Sequence, residues 1–194
     1  MKKKDSYFYK AKKKKLRARS YYKLKEIDEK YNLVKENSNI IDLGCSPGSW
    51  LQYLDKKIKS GKIIGVDLLE VKKRNEFTNK VEIYKEDFNK FYEKNENNLK
   101  KIKFDLIISD MAPEFSGHKE LDFSRTYDLN RNVIEFSEKY LKKNRNLVFK
   151  SFQSEELNKI VKELRKKFRI VKFFKPKSSS SKSAETYIIC LKKI

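Results

Sequence analysis

Apolar positions along the chain follow two alternating rhythms. Unbroken or nearly unbroken short runs at 40–43 (Ile-Ile-Asp-Leu), 62–66, 81–84, 104–108 and 147–150 have the length and β-branched content of buried strands. Between them apolar residues recur every third or fourth position, the spacing of a helix with one buried stripe. Leu24, Ile27 and Tyr31 predict a helix over 19–30, and Trp50, Leu51, Leu54 and Ile58 one over 48–58. Longer stripes predict a helix over 124–142, through Leu129, Val133, Phe136 and Tyr140, and another over 154–167, through Leu157, Ile160, Val161 and Leu164. The runs at 170–174 and 186–191 have no helix between them and read as an antiparallel pair. The stretch 94–103 is too rich in Lys and Asn to show a stripe, and 111–123 and 175–184 read as irregular loops. Strand and helix in alternation predict an α/β fold: a mostly parallel sheet, helices on both faces, and an antiparallel strand at the end.

Length adds that this is one domain, 19–194, behind a basic arm, 1–18. Charge changes the picture more. The chain carries 48 Lys+Arg against 27 Asp+Glu, a formal net charge of +21. Self-repulsion on that scale points to a polyanionic partner, nucleic acid before an anionic membrane. In the arm Tyr7, Phe8 and Tyr9 interrupt the lysines, a mixture suited to a phosphate backbone with exposed bases. Lys10, Lys12, Lys13, Lys14, Lys15, Arg17 and Arg19 are the candidate nucleic-acid contacts. No apolar run reaches membrane-spanning length, and no apolar stretch follows the charged start as in a secretory signal. Cys45 and Cys190 are too few for a disulfide framework or a zinc cage, and His118 alone builds no histidine metal site. The expectation is a metal-free monomer with no membrane partner. It is read as intracellular, in cytoplasm or nucleolus ahead of mitochondrion or another organelle.

The chemistry concentrates after the first strand, in Asp42-Leu43-Gly44-Cys45-Ser46-Pro47-Gly48-Ser49-Trp50. In open parallel sheets ligands lie outside the carboxyl ends of the strands, and there Asp67, Asp87 and Asp110 also stand. Asp67 follows Gly48 at the offset from which a carboxylate reaches a ribose diol. The glycine spacing is not that of a pyrophosphate loop, and Pro47 removes a backbone donor from it. A ligand with a ribose and no phosphate fits better, and S-adenosylmethionine is one. A nicotinamide oxidoreductase is correspondingly disfavoured.

DLGCSPGSW, GVDLL, EDF and SDMAP, in this order, resemble the FtsJ/RrmJ-type RNA 2′-O-ribose methyltransferases, as do RARSYYKLKEID upstream and VFKSFQ and AETYII downstream. The resemblance runs from about residue 10 to residue 191. It implies a Rossmann-like methyltransferase fold with a seven-stranded sheet and a Lys-Asp-Lys-Glu tetrad, matched by Lys23, Asp110, Lys150 and Glu185. It implies cofactor contacts from the loop residues Gly44, Cys45, Ser46, Pro47 and Gly48, and from Trp50, Asp67, Asp87 and Asp110. Two departures stand out: Ser49 where the family often has a second glycine, and the serine run 178–181 where relatives often carry Arg.

The implied reaction is in-line methyl transfer to a ribose hydroxyl, which must be aligned and must lose its proton. Lys150, ending an apolar strand, is the expected general base. The expected substrate is RNA, ribosomal RNA of the large subunit by the SDMAP and LDFSR segments, at a uridine. Transfer RNA anticodon loops and messenger caps are alternatives, as is a non-catalytic ribosome-binding protein with a relic fold. Base amino-methylation would show N-P-P-Y where Ser109-Asp110-Met111-Ala112 stands.

Overall fold

The structure, a computed structural model, describes residues 6–72, 77–180 and 183–194. Helices α1 (Ser6–Lys13), α2 (Tyr21–Tyr31), α3 (Ser49–Lys57), α4 (Phe88–Lys101), α5 (Lys119–Tyr140) and α6 (Glu155–Lys167) surround one sheet. Its strands are β1 (Ile40–Leu43), β2 (Ile63–Asp67), β3 (Val81–Lys85), β4 (Phe104–Ser109), β5 (Leu141–Phe152), β6 (Phe168–Phe174) and β7 (Glu185–Lys193). The sheet has seven strands in the order β3-β2-β1-β4-β5-β7-β6. All pairs from β3 to β5 are parallel, and β7 runs antiparallel to both β5 and β6. The α/β expectation holds, with one refinement: the last strand does not extend the sheet but fits between β5 and β6.

Alternation along each strand sends neighbouring side chains to opposite faces. Ile41, Leu43, Ile64 and Ile107 join the core beneath α4, α5 and α6, where Phe91, Phe136 and Leu164 are buried. Ile40, Ile63 and Ile108 join the opposite core beneath α2 and α3, with Leu24, Ile27, Leu51 and Leu54. Helices α2 and α3 are locked together by Asp28, which is 1% exposed. Its carboxylate accepts from Val34 N at 2.8 Å and from the Tyr53 hydroxyl at 2.7 Å, and pairs with Lys57.

Four differences from the sequence reading have physical causes. The arm carries a helix, α1, whose Ala11 is buried and whose Tyr7 ring packs on Tyr22 with centroids 5.4 Å apart. Most of the stretch without a visible stripe, 94–101, lies within α4. Only Phe88, Phe91 and Leu99 of α4 are buried, so the stripe is one residue wide among Lys and Asn, and Asp87 caps the start. Helix α5 begins at Lys119, inside the expected loop, because Asp122 in its first turn accepts from Ser116 N at 2.8 Å and Gly117 N at 3.1 Å. Strand β5 reaches back to Leu141 through a register shift against β4, with Asn144 left-handed at φ 58°.

Candidate active site

The order of strands reverses at β1, which pairs with β2 on one side and β4 on the other. That reversal opens a crevice at the strand ends. A cavity of about 260 Å³ lies there, lined by Gly44, Ser46, Asp67, Asp87, Asp110 and Met111 among others. Leu68 and Leu69, both more than half exposed, form an apolar side of it. On a chain this basic an acid-lined cavity selects cations or neutral polar molecules over phosphates.

Each acid has a defined setting. Asp67, at the end of β2, accepts from Ser46 N and from Leu69 N, both at 2.7 Å, so it shapes the loop as well as facing the cavity. Asp87 is the N-cap of α4, with one oxygen accepting from Asn89 N at 3.0 Å and Lys90 N at 3.2 Å. Asp110 follows β4; its Oδ1 accepts from the Tyr187 hydroxyl at 2.7 Å and lies 3.0 Å from Lys150 Nζ. Asp42, inside β1, is fully buried, and neither carboxyl oxygen has a hydrogen-bond partner among the described residues.

The loop takes its shape from contacts within the protein. Gly44 has φ +80°, and a Cβ there would come within 2.7 Å of Met111. Gly48 has φ +94°, and a Cβ there would press on Val71 and Arg17. The close approach that the glycines permit is therefore to the segment after β4 and to the arm. Arg17 spans the gap: its guanidinium donates to the Pro47 carbonyl at 2.8 Å and to the Lys72 carbonyl at 2.7 Å, and lies 4.5 Å from the Phe77 ring.

Beside the cavity lie the residues matched to the tetrad, as two ion pairs. Lys150 of β5 holds Asp110, donating also to its carbonyl, and Lys23 of α2 holds Glu185 of β7 at 2.6 Å. All four are largely buried, Lys23 and Lys150 with side chains 10% and 11% exposed. Burial alone would raise the Glu185 carboxyl, but Lys23, with the Ser179 hydroxyl and Lys150, outweighs it and holds it below its ordinary value. Tyr187 joins the pairs: it is fully buried, faces Lys150 in the β5–β7 register, and its ring lies 5.8 Å from Lys23 Nζ. Burial, with Asp110 and Glu185 nearby, pushes its hydroxyl well above the ordinary tyrosine value, so it acts as a hydrogen-bond donor.

Other expected residues sit elsewhere. Trp50 is buried, donates to the Ser20 carbonyl at 2.9 Å and packs against Tyr187, so it supports α2 and β7 and does not line the cavity. Cys45 is buried, with its thiol pushed up by desolvation, and it, the exposed Pro47 and the buried Gly48 do not line the cavity. Lys12, Lys13, Lys14 and Lys15 are exposed, and Lys10 stacks its ammonium over Tyr7 and Tyr22. Arg19 is half-buried. The serine loop docks on α2, where Glu26 accepts from Lys177 N and Ser178 N; Ser181 of the run lies outside the described residues. Among the described residues no group of His, Cys, Asp and Glu could hold a metal ion, and no helix is long and apolar enough to cross a membrane.

Tyr187 is the residue that sequence reasoning missed. Its signal was present: it lies two positions after Glu185 in a strand, and so on the same face.

Three comparisons bear on this site. A family model, FtsJ-like methyltransferase, matches residues 16–193. The chain is 42% identical to the ribosomal RNA large subunit methyltransferase E of Methanosphaera stadtmanae over 200 residues, 96% of this chain and 91% of that one. It is also 42% identical to the protein of the same name from Pelagibacter ubique, over 90% of this chain and 84% of that one. A crystal structure of a Plasmodium falciparum ribosomal RNA methyltransferase superposes with TM-score 0.77 and 30% identity, over 91% of this chain and 98% of that one. Human methyltransferase-like protein 13, solved in complex with SAH, shares the fold at TM-score 0.66 and 9% identity, over 88% of this chain and 82% of that one.

Proposed function

The chain belongs to the FtsJ-like methyltransferase family, and from that premise we propose that it methylates a ribose 2′-hydroxyl of large-subunit ribosomal RNA, at a uridine. S-adenosylmethionine, when bound, supplies an electrophilic methyl group on a sulfonium centre. The cavity fits such a donor: it is ringed by carboxylates, offers Asp67 and Asp87 to a nucleoside's hydroxyls and base, and has an apolar side at Leu68 and Leu69. The observation that carries the reading is the double membership of Asp110, which lines the cavity and pairs with Lys150. The donor cavity and the buried lysine thus meet at one carboxylate.

In this reading Lys150 first gives its own proton to solvent, and its neutral amine Nζ then accepts the proton of the attacking hydroxyl. Asp110 and Tyr187 fix the position of that nitrogen, and Glu185 holds Lys23 against the acceptor side. Alignment of hydroxyl and amine is worth several kcal/mol, and the base about 10²–10⁴-fold. The basic arm draws the RNA backbone toward Lys23. The substrate reading follows the named relatives, and a soluble, monomeric, intracellular enzyme without metal is the form proposed.

Replacing Lys150 separates a base from a positioning cation. Lys150→Ala should lose methyl transfer while cofactor affinity stays within a few-fold. Lys150→Arg should lose it too, because arginine keeps the charge but cannot be deprotonated in the working range. The measurement is single-turnover methyl transfer to undermethylated large ribosomal subunits. More than about a tenth of the parent rate in Lys150→Arg, a loss under about 1.4 kcal/mol, would make Lys150 a positioning cation. Mapping the modified nucleotide in the product RNA tests the ribose and the uridine.

A further inference from the structure

Among the described residues Asp42 is the buried acid whose carboxyl oxygens nothing satisfies, and the proposed reaction does not use it. It sits mid-strand in β1, opposite Gly65 of β2 and Ile108 of β4, two residues before the glycine loop. It is 0% exposed. Most buried polar groups are satisfied, and an exception calls for an explanation in terms of function or of a guest.

Its neighbours supply acid and no base. From β2 comes Asp67, from the segment after β4 comes Asp110, from β7 the Tyr187 hydroxyl, and from the loop the Cys45 thiol. The two lysines of the site are already committed: Lys150 to Asp110 and Lys23 to Glu185. Burial and the Asp110 and Asp67 charges push the Asp42 carboxyl well above the ordinary carboxylate range. Asp110 has Lys150 beside it, whereas Asp42 is buried with no hydrogen-bond partner for either oxygen, so it is the carboxyl that carries a charge least readily. No metal cluster is available among the described residues, and the charge of the proposed donor is positive at sulfur.

We infer that Asp42 is a proton-holding positioning residue, protonated in the cofactor-free protein, which releases its proton to solvent as S-adenosylmethionine binds and then stands as a carboxylate behind the donor cavity. The inference rests on the proposed donor. Asp42 does not touch the reacting atoms; it acts by setting the charge beneath Gly44 and by making donor affinity depend on pH. With one proton released, affinity rises about tenfold per pH unit until Asp42 is ionised in the free protein as well.

The test is calorimetry of S-adenosylmethionine binding to the full chain, from pH 5 to 9, in buffers of different ionisation heat. The dependence of the measured heat on the buffer gives the number of protons released. The result expected is up to one proton released in the parent beyond that released in Asp42→Asn, a difference that cancels the titration of the donor's own amino group. The carboxylic C=O band of Asp42 in infrared difference spectra should disappear on adding the donor, a readout that needs no variant. Binding with no proton release at any pH, or a release unchanged in Asp42→Asn, would overturn the inference and leave the proposed function standing. No binding heat at all, with no change in the infrared spectrum, would overturn both.

Discussion

Asp42 also carries a consequence for the protein without its donor. Its carboxyl titrates above the ordinary value when folded and near 3.9 when unfolded. Between those limits the folded state binds more protons, so stability falls as pH rises through the window. An amide at this position does not ionise, so Asp42→Asn should gain on the parent in melting temperature as pH climbs from about 4 toward neutrality. The check is the difference between the two melting curves as a function of pH; a flat difference would mean that Asp42 ionises in the folded protein without penalty. At this scale the sequence was most legible where a residue type stands next to a strand end. Asp67, Asp87 and Asp110 were readable from position alone, and they do ring one cavity. Lys23, Lys150 and Glu185 came only from family resemblance, because nothing local marks a lysine among so many others. Asp42 was read as part of a loop motif; that it has no partner is a property of its surroundings, which no sequence spells out.

Elements tie these residues to stability as well as to chemistry. Asp87 both faces the cavity and caps α4. Asp87→Ala should cost about 0.5–2 kcal/mol as a lost cap and weaken donor binding too. Asp87→Ser should keep most of the cap, since serine serves there nearly as well, yet still lose donor affinity. Denaturant unfolding and donor titration of both variants separate the two roles; equal stability of Asp87→Ala and parent would remove the capping role. The helix so capped was the element least visible in the sequence. Its stripe of Phe88, Phe91 and Leu99 is thin, and the amphipathic signal drowns in Lys and Asn that stay in solvent. Helices α3 and α6, with broader buried faces, were visible within a residue or two of their ends. Arg17 shows the same limit in another form. The sequence offers it as one more cation for RNA, whereas its guanidinium holds Pro47 and Lys72 carbonyls beside the loop.

On the scale of the whole molecule the dominant quantity is the net charge of +21, set against an acid-lined cavity. RNA binding should therefore weaken steeply with salt, while donor binding should respond little. Neutralising Lys12, Lys13, Lys14 and Lys15 together should flatten the slope of log K against log salt by about 3. Arg17 is left intact in that variant because its loss would also disturb the loop. An unchanged slope in a filter-binding titration would show that the arm makes no phosphate contacts. The alternation of strands and helices announced the sheet, but its strand order depends on which edges meet, and that is long-range information. The most consequential such fact is the place of β7. It lies between β5 and β6, and β6 pairs with no other strand among those described. Glu185 and Tyr187, two of the five residues of the polar cluster beside the cavity, ride on it. A chain still being synthesised therefore holds an open slot where the centre of the sheet's last third belongs. The Lys23–Glu185 pair and the Tyr187 hydrogen bond to Asp110 cannot form until that strand emerges and slides in. A chain lacking residues 185–193 would keep the basic arm and the loop after β1 and would lack Glu185 and Tyr187, so on the proposed function it should bind RNA without methylating it.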